Sequence, residues 1–280
     1  MKKPVLIFSC SDDNNFQYSV MMFNSLTKFH SPKDIDMILY TTMKHPYKLK
    51  ELPKGVKVID LSPYLKDDPM FFYRQKPVIA EQYMDDYELV LGIDSDSIIT
   101  GNLNYVFETK DYDVGTVINW NRVDPQMFGF VEIMRLGISP PDYYNCGFVA
   151  MRSKKFVHHW KVLCFSPEFN NMQYKEQDLL NVLTHFGNYN VRCFDSGDGV
   201  VKMSAWWGLI AKGELIRAEL KGNEIVIPKG LGDTPFPPAE MTLKVIHVGG
   251  GNTPNKLNYR PWFKDEKIIE RINYLVGETK

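Results

Sequence analysis

The segment Leu89-Val90-Leu91-Gly92-Ile93-Asp94-Ser95-Asp96 places two carboxylates two residues apart, directly after an apolar run. On an extended chain the side chains at i and i+2 share one side, so Asp94 and Asp96 can present oxygen ligands together. Such a pair suits Mg2+ or Mn2+, hard cations that keep positions open for water and substrate phosphates. A cation held there neutralises charge on a departing diphosphate oxygen, doing the work of a general acid. Standing alone the triplet has a plainer reading, because acidic residues at strand ends also cap turns through local backbone contacts.

Four further blocks follow in order along the chain. They are Tyr73-Arg74-Gln75-Lys76 upstream of the acidic pair, Tyr144-Asn145-Cys146-Gly147-Phe148, and Glu176-Gln177-Asp178-Leu179-Leu180-Asn181. The last is His247-Val248-Gly249-Gly250-Gly251, followed by Lys256 and Arg260-Pro261-Trp262. A lone His at a strand end is usually a satisfied structural residue, but three successive glycines allow close backbone approach to a phosphate and favour a ligand reading of His247.

With these blocks the chain resembles the GT-A glycosyltransferases, family eight in particular, whose signature is an Asp-any-Asp triplet after an apolar strand. Carried over residue by residue, the resemblance implies that Asp94, Asp96 and His247 hold Mn2+ or Mg2+. It implies that Asn145 and Glu176 contact the sugar of a uridine diphosphate donor, that Gln177 lies beneath the anomeric carbon and that Asp178 faces the acceptor. Ser9, Arg74, Lys76, Ser95 and Gly250 are expected to complete the donor site. Lys256 and Arg260 compete for the diphosphate, one as a point charge and the other as a bidentate fork. The chain departs from the family pattern in having Cys146 for Ser, Glu176 for Asp, a longer loop after His247, and Arg260 rather than Lys before Pro-Trp. The resemblance further implies transfer with retention of anomeric configuration. The sequence offers no obvious enzyme nucleophile, and the amide of Gln177 is a poor one.

These residues need a scaffold, and the hydrophobic pattern supplies it. Lys3 to Ser9 reads as a buried strand, then Phe16, Val20, Phe23 and Leu26 recur at helical spacing after the capping-type cluster Ser11-Asp12-Asp13. Strands are predicted at 37–40, 56–61, 89–93, 114–118, 146–151, 191–194, 224–227 and 243–248, with helices around 77–87, 154–164 and 177–185. Strands alternating with helices predict an α/β fold with a largely parallel, doubly covered sheet. The resemblance refines this to a GT-A type, Rossmann-like mixed sheet flanked by helices in a single domain over 1–262. Residues 1–115 would hold the nucleotide and 116–262 the acceptor side. Residues 263–280 read as a C-terminal helix whose apolar face, Ile268, Ile269, Ile272, Leu275 and Val276, docks on the body.

With 33 basic and 34 acidic side chains the net charge of -1 provides no broad field for a nucleic acid or an anionic membrane. The run Val5 to Phe8 is shorter than a signal-peptide core and nothing approaches a membrane span, so a cytoplasmic protein without stable membrane insertion is expected. Cys10, Cys146, Cys164 and Cys193 form no CxxC pair, and reduced, mostly buried thiols are expected. The partners so implied are a nucleotide-sugar donor and a glycan or other hydroxyl acceptor. Two rivals exist. Gly197-Asp198-Gly199 fits a haloacid-dehalogenase-type phosphohydrolase, although Val200-Val201-Lys202 follows where an acidic residue belongs. A binding protein that keeps the fold without turnover is the other. Trp206-Trp207 suits either acceptor stacking or core packing, and His158-His159 beside Trp160 reads as part of an amphipathic helix, either solvent-exposed or packed against a neighbour.

Overall fold

The first half of the chain builds four parallel strands, β1 (Lys3–Ser11), β2 (Asp36–Thr41), β3 (Val56–Asp60) and β4 (Tyr87–Ile93), in the spatial order β3-β2-β1-β4. The computed structural model describes residues 2–42, 46–118, 135–138, 142–194, 202–204, 218–228, 240–247 and 263–278. Next come β5 (Ser97–Ile99), β6 (Val114–Ile118), β7 (Tyr144–Met151) and β8 (Val191–Cys193). Strands β7, β6 and β8 extend the sheet beyond β4, to the order β3-β2-β1-β4-β7-β6-β8.

The sheet is mixed, because β7 runs antiparallel to both β4 and β6. This direction matters for the site. The start of an antiparallel strand lies beside the end of its neighbour, so Phe148 pairs with Ile93 and Asp94 donates its N–H to Gly147 O at 2.8 Å. The register between β6 and β7 shifts between Gly115 and Val117, and Thr116 Oγ1 donates to Asn145 O at 2.8 Å there. Such a bulge bends a strand and re-aims its side chains, here at Asn145 and Cys146.

Beyond β8 lie β9 (Lys202–Ser204), β10 (Glu219–Lys221), β11 (Glu224–Ile227), β12 (Met241–Thr242) and β13 (Val245–His247). Of the strand predicted at 243–248, β13 covers 245–247, while Leu243 donates its N–H to Ile225 O and so continues the pairing of β12 with β11. β13 then pairs antiparallel with β5, placing His247 opposite Ser97.

Helices α1 (Phe16–Thr27), α2 (Ser62–Asp67), α3 (Gln75–Tyr83), α4 (Asn104–Glu108), α5 (Lys154–Cys164), α6 (Glu168–Asn171), α7 (Glu176–Phe186) and α8 (Glu266–Val276) cover the sheets. Alternation along the strands splits the core. Leu6 and Phe8 of β1 pack with Ile79, Phe156, Trp160 and Leu179 on one face, and Val5 and Ile7 pack with Phe16, Phe23 and Leu26 on the other. Ser11-Asp12-Asp13 does not cap α1 directly. Asp12 Oδ1 instead accepts from the Asn15 N–H and side-chain amide in a local turn, at 2.9 and 2.7 Å, and Asn15 leads into the helix.

α8 docks through the predicted apolar residues, of which Ile268, Ile269, Ile272 and Val276 pack with Met21 of α1, and Asn24 Nδ2 donates to Val276 O. Among the described residues no helix is long and apolar enough to cross a membrane. The four cysteines are free, with Cys10, Cys146 and Cys164 buried and Cys193 half-buried.

Candidate active site

Three elements converge at the carboxyl end of β4. The strand delivers Asp94, the turn after it delivers Asp96, and β13 delivers His247 by its pairing with β5. His247 Nε2 lies 2.8 Å from Asp96 Oδ1 and 3.4 Å from Asp94 Oδ2. One ligand atom from each of the three residues falls within 4.8 Å of the others. Two carboxylates and an imidazole, with His247 buried and both Asp residues half-buried, fit the donor set and spacing of an Mn2+ or Mg2+ site.

The other oxygen of Asp94 is taken from behind. Lys76 Nζ lies 2.7 Å from Asp94 Oδ1 and 3.1 Å from Glu176 Oε1, joining the end of β4 to the first turn of α7. Lys76 is 4% exposed and Glu176 5%. Burial alone would push the Lys76 ammonium down, but the charges of Asp94, Cys146 and Glu176 more than offset it and hold its pKa well above the usual value. Glu176 is pushed up by burial, with Lys76 pulling against that shift. Its Oε1 also lies 3.8 Å from Cys146 Sγ, while its buried Oε2 has no hydrogen-bond partner among the described residues.

The entry to α7 is held against strain. Lys175, just before the helix, sits at φ 49° and ψ -116°, a conformation that side-chain-bearing residues rarely adopt and that persists only where its surroundings fix it. Three contacts do so. Gln177 N–H donates to Tyr174 O, Asp178 Oδ2 accepts from Tyr174 N–H at 2.7 Å, and Trp160 Nε1 of α5 donates to Glu176 O at 2.9 Å. Asn181 ties the next turn to β7, accepting from Tyr144 N–H and donating to Tyr144 O. Gln177 and Asn145 both reach the bulged part of β7. Gln177 Oε1 accepts from Cys146 N–H at 3.0 Å, and Asn145 Oδ1 accepts from Gly147 N–H at 2.7 Å.

Beside the acidic pair opens a cavity of about 390 Å³, lined among the described residues by Cys10, Ser11, Asp12, Asn15, Pro69, Phe72, Tyr73, Gln75, Asp94, Ser95 and Asp96. It lies at the carboxyl ends of β1 and β4, where open α/β sheets hold ligands. Asp12, Asn15 and Phe72 were not among the expected site residues. The run Asp12-Asp13-Asn14-Asn15, polar and placed directly after the opening strand, was the available signal.

Several expected site residues stand elsewhere. Ser9 does not line the cavity: it is 1% exposed, two residues short of the end of β1, and the wall is made by the last two residues of that strand, Cys10 and Ser11. Arg74 is engaged by the protein itself. Its Nη1 contacts both carboxylate oxygens of Asp68 at 3.0 Å and the group lies over the Phe165 and Phe169 rings. Asp178 does not face an open acceptor site, being 2% exposed with Oδ1 accepting from Tyr143 Oη at 2.5 Å and Oδ2 held by Tyr174. Gly250, Lys256 and Arg260 lie outside the described residues, as do Gly197-Asp198-Gly199 and Trp206-Trp207. His158 pairs with Glu81 on an exposed helix face, and Trp160 beneath it is wholly buried.

A mixed seven-stranded sheet in the order β3-β2-β1-β4-β7-β6-β8, flanked by helices, is the fold of the GT-A type glycosyltransferases. Solved structures agree. The chain is similar to the galactosyltransferase LgtC in complex with donor and acceptor sugar analogs, at TM-score 0.60 and 16% identity, covering 98% of this chain and 96% of that one. It is similar to the bifunctional glycosyltransferase WbbM at TM-score 0.63 and 14% identity, over 100% of this chain and 50% of that one. It also resembles mouse xyloside xylosyltransferase 1 at TM-score 0.57 and 14% identity, over 91% and 99%. No protein-family profile matches the chain. No curated protein matches it by sequence.

Proposed function

We propose that the protein is a metal-dependent glycosyltransferase that moves a sugar from a uridine diphosphate donor onto a hydroxyl acceptor with retention of configuration. The observation that carries this reading is the meeting of Asp94, Asp96 and His247 within 4.8 Å at the rim of a cavity of nucleotide-accommodating size. The first half of the chain supplies the nucleotide wall and the second half the sugar and acceptor side.

In this reading Asp94, Asp96 and His247 hold the divalent cation, which when bound supplies positive charge against the diphosphate leaving group. Lys76 fixes the carboxylate plane of Asp94 and spans to Glu176, whose Oε2, without a hydrogen-bond partner among the described residues, suits a sugar hydroxyl donor. Asn145 adds a further polar contact from the β7 bulge. Gln177 presents its carboxamide beneath the anomeric carbon, where a fixed dipole stabilises oxocarbenium character. The acceptor oxygen bonds to the anomeric carbon on the face that the diphosphate leaves. The carbon–phosphate oxygen bond breaks with its electron pair going to the diphosphate, and the acceptor's proton passes to a departing phosphate oxygen.

A donor screen in Mn2+ reading nucleotide release tests this. Release is expected with one or two uridine diphosphate sugars, to be lost on chelation, and to fall at least ~100-fold in Asp96→Ala. Donor binding with no transfer or hydrolysis across a broad acceptor panel would replace the reading with a non-catalytic binding protein.

A further inference from the structure

Gln177 sits in a hydrogen-bond chain whose polarity is fixed at both ends. At one end is the N–H of Cys146, a donor only, 3.0 Å from Gln177 Oε1. At the other is Asp178, whose two oxygens accept from the Tyr143 hydroxyl at 2.5 Å and from the Tyr174 N–H at 2.7 Å. Tyr143 Oη lies between, 3.2 Å from Gln177 Nε2. A hydroxyl has one proton to give. With that proton on Asp178, Tyr143 Oη meets Gln177 as an acceptor, which demands the amino group of the carboxamide there and its carbonyl oxygen at Cys146. Burial, reinforced by the Asp178 charge, pushes the Tyr143 phenol well above its usual pKa, so the proton stays on the chain.

We infer that Tyr143 and Asp178 are positioning residues that lock the orientation of the Gln177 carboxamide. Neither is open to a ligand, at 1% and 2% exposure, yet both are spent on one side chain that is only half-buried. The strained backbone at Lys175 belongs to the same device, because the Asp178–Tyr174 bond closes the turn in which Lys175 lies. A carboxamide is nearly symmetric in shape, and its two ends differ only in whether they donate or accept. A lock on orientation therefore has to act through hydrogen-bond polarity, which this chain supplies. The consequence for catalysis rests on the proposed place of Gln177 beneath the donor sugar: the carbonyl oxygen, which accepts two hydrogen bonds in full and spends one on Cys146, keeps a fixed direction for its other lone pair. A flipped amide would turn a donor N–H toward developing positive charge.

The test uses Tyr143→Phe, which keeps the ring and removes the hydroxyl, and Asp178→Asn, which keeps the shape and turns one of the two acceptors that Tyr143 and Tyr174 use into a donor. Hydrogen exchange at the Cys146 amide, whose acceptor is Gln177 Oε1, reads the lock without reference to activity. Both variants are expected to speed that exchange by ~10-fold or more while Val149 and Ala150 on the same strand are unchanged, since a local opening exposes only the bonds it breaks. In donor hydrolysis with UDP-galactose and UDP-glucose as probes, both are expected to lower kcat by ~10-fold or more with KM within about 2-fold. In a Gln177→Ala background Tyr143→Phe should add nothing. Unchanged exchange at Cys146, or exchange raised along the whole of β7, overturns the inference. So do losses in kcat that simply add to that of Gln177→Ala. If the wild type hydrolyses neither donor, the proposed function is what suffers, and the exchange result alone decides the lock. Should Tyr143→Phe not fold, Asp178→Asn carries both measurements.

Discussion

Lys76 Nζ lies 2.7 Å from Asp94 Oδ1, so the residue expected to bind a donor is bonded to a candidate metal ligand. The same ammonium reaches Glu176 at 3.1 Å, and a single buried cation therefore holds two carboxylates from different elements together. A carboxylate so fixed keeps its second oxygen on the side of His247, toward the candidate metal position, the service that outer partners give to metal ligands.

Lys76→Met should be costly for folding, because it leaves the buried Glu176 carboxylate without its cation and facing the half-buried Asp94. Breaking a buried ion pair by removing one partner costs about 3–5 kcal/mol. Adding Glu176→Gln removes one of the stranded charges, and the double variant should recover about 1–2 kcal/mol of that loss. Urea denaturation of the two single variants and the double variant measures this. Strictly additive losses would show that Lys76 and Glu176 are not coupled.

His30 should give the protein an acid-sensitive component of stability. Its Nε2 accepts from Leu103 N–H at 2.9 Å, a bond that only the neutral ring can accept, and its ring leans on Phe107. Burial pushes its pKa down to about 4, against a smaller opposing pull from Asp34. As the pH falls below about 6.5 the unfolded chain takes up a proton that the folded chain refuses until about 4. Stability is therefore fully present above that window and is lost on descending through it, by about 3 kcal/mol at most. In His30→Gln this component should vanish. Comparing urea unfolding of wild type and variant from pH 7 to pH 4.5 checks it, and equal slopes for the two would refute it.

Much of the site is legible in the sequence because the chemistry sits in short blocks at strand ends. The acidic pair follows the apolar run 89–93, and Asn145, Glu176, Gln177 and His247 lie in the short blocks from which the expectation was drawn. Arg74 and Asp178 depart from expectation for one shared reason: sequence shows a charge but not its partner. Arg74 faces Asp68 and two aromatic rings, and Asp178 faces a tyrosine 35 residues away. Ser9 and Ser11 share one side of β1, and only the point at which the strand meets the cavity separates them, which no hydrophobic pattern marks. The antiparallel direction of β7 is invisible in its hydrophobic run, since either direction buries the same side chains. That direction nevertheless brings Gly147, in the first half of β7, to Asp94. Tyr143 carries no motif, and only its bonds to Asp178 and Gln177 single it out.

The claim on which the proposed activity depends is that Asp94, Asp96 and His247 grip one divalent cation together. Electron paramagnetic resonance of Mn2+ titrated into the protein, with and without uridine diphosphate, reads this directly. One tightly held ion per chain is expected for the wild type, with affinity weakened at least ~10-fold in both Asp96→Ala and His247→Ala, since even outer partners of a metal site are worth that much. No bound ion in the wild type, or equal affinity in all three proteins, would contradict the account.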